Sequence, residues 1–274
     1  MGRVWKLANW LLLGILAPCC PVGVAEGATL VLASTTSTRD SGLFEVLLPP
    51  FERANGVKVK VIAVGTGQAL ALGRRGDCDV LLVHAPELEQ RFMRAGYGYL
   101  RREVMHNDFI LLGPPTDPAH VRGERSVVKA FAKLARAKAT FVSRGDHSGT
   151  HFKERAIWSR AGRSPEGNWY LETGQGMAAT LRIADEKRAY VLCDRATYLA
   201  HRAKLRLIIV LEGDKLLYNP YSVIVVNPVK FPRVNLKHAL AFLRFLTSKE
   251  GRELIGQFGV KQFGRPLFAP IACK

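Results

Sequence analysis

Along the chain, short apolar runs alternate with segments whose apolar residues recur at helical spacing. The run 29–33 (TLVLA) leads into a polar cluster and then an amphipathic segment over about 43–54. The β-branched run 57–64 is followed by GTGQ and a second short helical pattern, and 79–84 (DVLLVH) by a third helix over 86–95 with Pro86 near its start. Strand, loop and helix repeated in this way predict a parallel sheet with crossover helices. After the punctuation GPPTDP at 113–118 the pattern resumes, with a helix over 127–138, a strand over 140–142, the loop SRGDHSGT at 143–150 and a helix through Trp158. A strand near 169–172, the loop TGQG, a helix over 177–187, a strand over 189–193 and a short helix follow. The run 221–226 (YSVIVV) is again strand-like, and helical segments over 234–247 and 249–258 complete the pattern. The expectation is an α/β fold of two lobes, each a mostly parallel sheet flanked by helices. Lobe I comprises 29–111 plus 222–274 and lobe II 112–221, joined by strands near 107–112 and 221–226, with the ligand cleft between them.

The first 28 residues stand outside this pattern. Arg3 and Lys6 precede an apolar run from Leu7 to Ala17, and small residues surround Ala25 and Ala28. This is the three-part layout of a secretory signal, and the run is well short of the ~20 residues that span a bilayer. Residues 1–25 are therefore expected to be an export signal cleaved near Ala25 or Ala28. Pro18, just before Cys19 and Cys20, argues against lipid attachment at either cysteine.

Composition changes this picture little. Of 274 residues, 48% are hydrophobic and 23% charged, which is ordinary for a folded globular chain. The formal net charge of +17 invites an anionic partner. Only Arg3 and Lys6 would leave with the signal, so the excess belongs to the mature chain. Its charges are scattered, with pairs such as Arg74-Arg75 and Arg101-Arg102 but no long run. Together with export and the lack of a reader motif, that argues against a nucleic-acid partner. Cys78, Cys193 and Cys273 would remain in the mature chain, an odd number without metal-type spacing. Buried free thiols are expected, and a Cys78–Cys193 bridge is left open.

Candidate chemistry lies in loops where a strand ends and a helix begins. Ser34-Thr35-Thr36-Ser37-Thr38, Gly65-Thr66-Gly67-Gln68 and Ser143-Arg144-Gly145-Asp146-His147-Ser148-Gly149-Thr150 each combine small hydroxyl residues with a helix start. A helix N-terminus offers unpaired N–H groups and a partial positive charge, to which hydroxyls add further donors. Each loop is thus half a cup for an oxyanion, although any one alone could be an ordinary N-cap or turn. Arg144 adds a planar, permanently charged fork. Asp146 either orients Arg144 or accepts a proton from a ligand such as hydrogen phosphate; the orienting role is favoured, because a carboxylate facing a dianion would repel it.

His147, His151 and Glu154 offer a rival reading as the metal site of a secreted hydrolase, but Ser148 stands where a zinc protease places glutamate. The Gly-rich loops lack the Lys-Ser/Thr ending of a phosphate loop, and no nucleophile elbow occurs. Neither an enzyme nor a cofactor is expected.

The motifs STTSTRDSGL (34–43), VGTGQAL (64–70), DVLLVHAPE (79–87), VMHNDFILLGPPTDPA (104–119), SRGDHSGTHFKE (143–154) and WYLETGQGMAATL (169–181) resemble the TupA-type tungstate-binding proteins, the solute receptors of tungstate ABC importers. The resemblance implies a type II periplasmic-binding-protein fold closing on one oxyanion, tungstate; the alternative left open is a receptor for another tetrahedral oxyanion, molybdate, sulfate or phosphate, serving transport or signalling. The resemblance also implies a periplasmic location and, as partners, an inner-membrane permease with its ATPase. Carried over, Thr35, Thr36, Gly65, Thr66, Arg144, Ser148, Gly149 and Thr150 contact the ligand, with Ser37 and Asp146 behind them. One departure is that the first loop reads Thr-Thr-Ser-Thr where the family commonly has Thr-Thr-Thr-Ser, which leaves open which hydroxyl touches the ligand.

Overall fold

The computed structural model describes residues 1–2 and 27–271; the expected signal beyond its first two residues, and Cys273, lie outside the described residues. The chain opens with β1 (Ala28–Thr35), α1 (Thr36–Asp40), α2 (Leu43–Asn55), β2 (Val57–Val64), α3 (Thr66–Arg75), β3 (Val80–Val83) and α4 (Pro86–Arg94). The strands β2, β1 and β3 lie side by side and parallel, as βαβ crossovers require. The long strand β4 (Gly98–Gly113) leads into α5 (Val127–Ala137), β5 (Phe141–Ser143), α6 (Gly149–Arg160), β6 (Tyr170–Glu172), α7 (Met177–Glu186), β7 (Val191–Asp194), α8 (Arg195–His201) and β8 (Ile208–Leu211). Then β9 (Tyr218–Val226) returns beside β4, and α9 (Leu236–Thr247), α10 (Lys249–Gln257), α11 (Val260–Phe263) and β10 (Ala269–Pro270) follow.

The helices show why the pattern folds this way. In α5, Val127, Ala130, Phe131 and Leu134 form one buried stripe, and the Ser126 hydroxyl accepts the Lys129 N–H at 3.4 Å to cap its start. Helix α2 carries Pro49 and Pro50 in its interior, where two backbone donors are missing. It persists because Leu43, Phe44, Leu47 and Phe51 are buried, Phe51 edge-on to Phe242 of α9 at 5.1 Å.

The strands β4 and β9 join the two halves. Between Gly98 and Asp108, β4 pairs antiparallel with β9; from Phe109 to Gly113 it pairs instead with β7 and β8. In the second half β5 and β6 are parallel, and a bridge from Phe141 to Tyr190 ties β5 to the start of β7. The sheets are therefore parallel in their crossover strands, while β4 and β9 enter antiparallel. Sequence pattern placed only 107–112 in a strand. The added stretch 98–106 reads GYLRREVMH, with Arg102 and Glu103 exposed, because much of it forms a sheet edge, where charge is normal.

Where β4 passes between the halves, a buried polar cluster holds the crossing. Asn107 and Asn219 are register partners, and Asn219 Nδ2 donates to Asn107 Oδ1 at 2.6 Å. That leaves Asn219 Oδ1 to accept from His84 Nδ1 at 2.9 Å. The His84 ring stacks on Tyr221 at 4.6 Å, and burial pushes its pKa down to about 4, so it is neutral. Apolar cores lie on both sides of the crossing: one set gathers β1, β3 and β9 with α2, α9 and α10, the other β4, β5 and β7 with α5, α6 and α7. Cys78 and Cys193 are buried free thiols in different clusters, so the open Cys78–Cys193 bridge is not formed. Among the described residues, no helix is long and apolar enough to cross a membrane.

Candidate functional site

Parallel pairing sets two helix starts side by side. Thr35 at the end of β1 is the register partner of Val64 at the end of β2, so α1 and α3 begin next to each other. Thr35 is buried and caps α1; its hydroxyl lies 2.7 Å from Thr38 Oγ1 and 3.2 Å from Ser37 Oγ. Ser37 is thus turned toward its own helix, and Ser34 donates to the Leu82 carbonyl at 2.7 Å. Thr36 is half-buried, with no hydrogen-bond partner for its hydroxyl among the described residues. Gly65 begins α3 without a side-chain cap, and Thr66 Oγ1 is buried without a partner among the described residues.

The second half presents the loop 143–150 to these starts. A Cβ on Gly65 would lie 3.6 Å from the Asp146 carbonyl and 3.8 Å from Ser148 Cα, and one on Gly67 3.4 Å from the His147 carbonyl. Ser148 caps α6 by accepting the His151 N–H at 3.3 Å, which leaves its own O–H free to donate. Thr150 Oγ1, at the second residue of α6, is the second buried hydroxyl of the loop region without a partner among the described residues. Gly149 packs against the end of β3: a Cβ there would stand 2.9 Å from His84 Cε1 and 3.1 Å from the His84 carbonyl.

Arg144 is 3% exposed. Its guanidinium pairs with Asp146 and donates through Nε to the Gln175 carbonyl at 3.3 Å, which leaves further N–H groups of the fork uncommitted. Asp146 uses its other oxygen to accept the Ser148 N–H at 3.1 Å. The loop before α7 clasps this arrangement: the Thr173 hydroxyl lies 3.3 Å from both the Ser143 and the Arg144 carbonyls and 2.9 Å from Thr180 Oγ1. Sequence reading treated TGQG as a connection and missed Gln175 and Thr173, whose role is visible only once β5 and β6 pair. It also missed His84, which reads as the end of an apolar strand.

The metal reading of His147, His151 and Glu154 does not assemble. The histidine rings are 5.6 Å apart, whereas Glu154 accepts from Tyr170 at 2.7 Å and from Trp158 at 3.2 Å inside the second core. Among the described residues no group of three metal-ligating side chains occurs. Burial raises the Glu154 carboxyl to about 7; bonds from Tyr170, Ser143 and Trp158 oppose the rise and the Glu172 charge adds to it. Uncharged hydroxyls, backbone amides at converging helix starts and one arginine are suited to holding a small oxyanion, and among the described residues no nucleophile with an adjacent base accompanies them.

Comparison with known proteins agrees with this chemistry. Residues 22–250 match the PBP superfamily domain. The chain is 46% identical to the tungstate-binding protein TupA of Peptoclostridium acidaminophilum, covering 96% of this chain and 94% of the relative. Among solved structures it is similar to the tungstate ABC transporter from Geobacter sulfurreducens, at 51% identity and a TM-score of 0.76 over 83% of this chain and 97% of that one. It is also similar to the tungstate-binding protein TupA from Desulfovibrio alaskensis, at 43% identity and a TM-score of 0.77 over 90% of this chain and the whole of that one.

Two stability predictions follow from the geometry. Gly149→Ala sets a methyl group against a histidine that is stacked and hydrogen-bonded in place, and should lower the unfolding free energy by about 1–3 kcal/mol in urea titrations; an unchanged midpoint and slope would refute the close approach. For Glu154, the folded protein holds the carboxyl proton more tightly than the unfolded chain, so stability falls as pH rises from about 4.3 toward the folded value. Glu154→Gln keeps an acceptor without the charge. It should raise Tm by a few degrees above neutrality, and the gain should vanish in mild acid; parallel pH profiles for the two proteins would contradict the raised pKa.

Proposed function

The chain belongs to the TupA tungstate-binding proteins of the PBP superfamily, and on that premise we propose that it captures tungstate in the periplasm and delivers it to an ABC importer. It is a binding protein and not an enzyme. The observation that carries the reading for this chain is a pair of buried threonine hydroxyls without partners, Thr66 Oγ1 and Thr150 Oγ1. They lie at helix starts on opposite sides of one seam, and a buried Arg144 stands in the same loop as Thr150. Buried polar groups are normally satisfied, so two such donors facing one seam support a ligand between them.

In this reading the chain divides into lobe I (29–111 plus 222–274) and lobe II (112–221), with β4 and β9 as the hinge. The change of β4's partners at Phe109 and the separate apolar cores support two lobes, with 109–111 already packed in the core of the second. Open lobes admit the dianion, closure replaces its hydration shell, and the closed form docks on the permease, which works with its ATPase in the inner membrane. Thr36, Thr66, Ser148 and Thr150 donate hydroxyl protons, with Thr35 beside them; Gly65 and Gly149 supply backbone at helix starts, and Arg144 supplies the charge. Ser37 and Asp146 hold Thr35 and Arg144 in place. Export by residues 1–25 would bring the chain to the periplasm, and no nucleic acid takes part.

A ligand-free preparation should gain about 2.7 kcal/mol of stability at tungstate concentrations near 100 times the dissociation constant. A thermal-shift and calorimetry panel of tungstate, molybdate, sulfate and phosphate reads this; no response to any of the four would end the receptor reading. Arg144→Gln removes the only guanidinium of the proposed set and should weaken tungstate binding about tenfold or more with the fold retained. Affinity equal to wild type would take Arg144 out of the site.

A further inference from the structure

Helix α6 carries, on its first turn, a histidine whose acceptor nitrogen reaches back to the loop that opens the helix. His151 is 8% exposed, and its Nδ1 accepts the backbone N–H of His147 at 3.1 Å. An amide only donates, so Nδ1 carries a lone pair and the neutral ring holds its proton on Nε2. Nε2 is buried with no hydrogen-bond partner among the described residues, 3.7 Å from Glu172 Oε1. In the other direction, the Ser148 hydroxyl accepts the N–H of His151. The two bonds form a reciprocal clasp like a capping box, with an imidazole where glutamate or glutamine commonly stands and the bond reaching one residue further back.

The segment so clasped needs holding. His147 has φ 55° and Gly145 φ 61°, so the loop turns twice through the left-handed region, which a non-glycine residue occupies at an energetic cost. A Cβ on Gly145 would lie 2.8 Å from Glu172 Cβ, so the glutamate of β6 packs beneath the first turn and the His151 ring secures the second. Between these two points lies Asp146, which pairs with Arg144 and takes the Ser148 N–H.

We infer that His151 is a positioning residue for the anion site: as a neutral Nδ1 acceptor it locks the His147 amide and thereby the loop that aims Arg144 and the α6 N-terminus. This deepens the receptor reading and rests on it. Protonation would place an N–H on Nδ1 opposite the His147 N–H, which breaks the clasp. The groups facing the ring act in both directions. Burial opposes protonation most strongly; Glu172 of β6 and Asp146 of the loop favour it, while His147 of the loop and Arg155 of α6 oppose it. The balance holds His151 below the ordinary histidine range, so the clasp is closed at neutral pH and opens in acid.

The test uses His151→Asn, whose side-chain oxygen can occupy the Nδ1 position, and His151→Leu, which is of similar size without an acceptor. Hydrogen exchange across residues 144–150 is followed in ligand-free protein, and tungstate affinity by calorimetry, at about pH 7.5 and through a descending series carried well below the ordinary histidine pKa of about 6.5. His151→Leu should speed exchange of the His147 amide and weaken tungstate binding by about tenfold, the effect of one buried hydrogen bond lost. His151→Asn should stay within about threefold of wild type at neutral pH, as a retained acceptor implies. Wild type should lose His147 protection and affinity in acid, and the asparagine variant should lose less, the acid chemistry of the anion being common to both. Leucine binding as tightly as wild type, asparagine rescuing nothing, or an identical acid response of His147 exchange in wild type and asparagine variant would each overturn the clasp. The last comparison holds even if the leucine variant does not fold. A wild-type protein that binds none of the four anions would instead end the receptor reading, with amide exchange still judging the clasp.

Discussion

A guanidinium withdrawn from water must be met by charge and by acceptors, and much of the second half of this protein is arranged around that requirement at Arg144. Its counter-charge, Asp146, comes from the same loop, and its carbonyl partner, Gln175, from the loop before α7. The Thr173 hydroxyl then braces the backbone on either side of Ser143. The positive charge is felt beyond the loop: it adds to the fall that burial imposes on the pKa of His84 at the end of β3 and opposes the rise that burial imposes on Asp194 at the end of β7. The ends of β3, β5 and β7 and the start of α7 thus lie within one electrostatic neighbourhood, and the loop conformation that aims the arginine is inseparable from the conformation that solvates it.

The crossing of β4 and β9 is the mechanical counterpart. Its cluster of His84, Asn107, Asn219 and Tyr221 contains no charge, because burial keeps His84 neutral. A charged cluster would hold one arrangement of the halves tightly, since breaking a buried ion pair strands both partners, whereas neutral amide and imidazole bonds can be exchanged at lower cost. His84 also meets Gly149 across the seam, so the ring that braces the crossing is the surface against which the loop 143–150 of the other half rests.

Much of this was legible in residue pattern, for identifiable reasons. Helices such as α5 and strands such as β2 follow from apolar spacing and from turn residues, which are local signals. Helix α2 was legible despite two internal prolines because its buried stripe is stronger than the breakers. The first nine residues of β4 were not, since an edge strand rich in arginine has no hydrophobic signature. The candidate oxyanion loops were legible because hydroxyl residues and glycine at helix starts have a chemical meaning of their own. Thr173, Gln175, Glu172 and His84 were not: each matters through a partner distant in sequence, brought near by sheet pairing that no local spacing encodes.

The same geometry bears on which anions such a site tolerates. Around the seam the available groups are hydroxyl and amide donors, and the one carboxylate in the loop has both oxygens engaged, by Arg144 and by the Ser148 N–H. A protonated oxyanion such as hydrogen phosphate brings a donor of its own, and the charged acceptor nearest to hand, Asp146, already takes bonds from Arg144 and the Ser148 N–H, whereas a fully deprotonated dianion needs donors alone. The formal charge of +17 then plays a different part from recognition. Scattered lysines and arginines suit an action on approach, through a field that salt screens over about 10 Å at 0.1 M, whereas in the proposed site discrimination would fall to uncharged donors fixed at helix starts, where screening is weak.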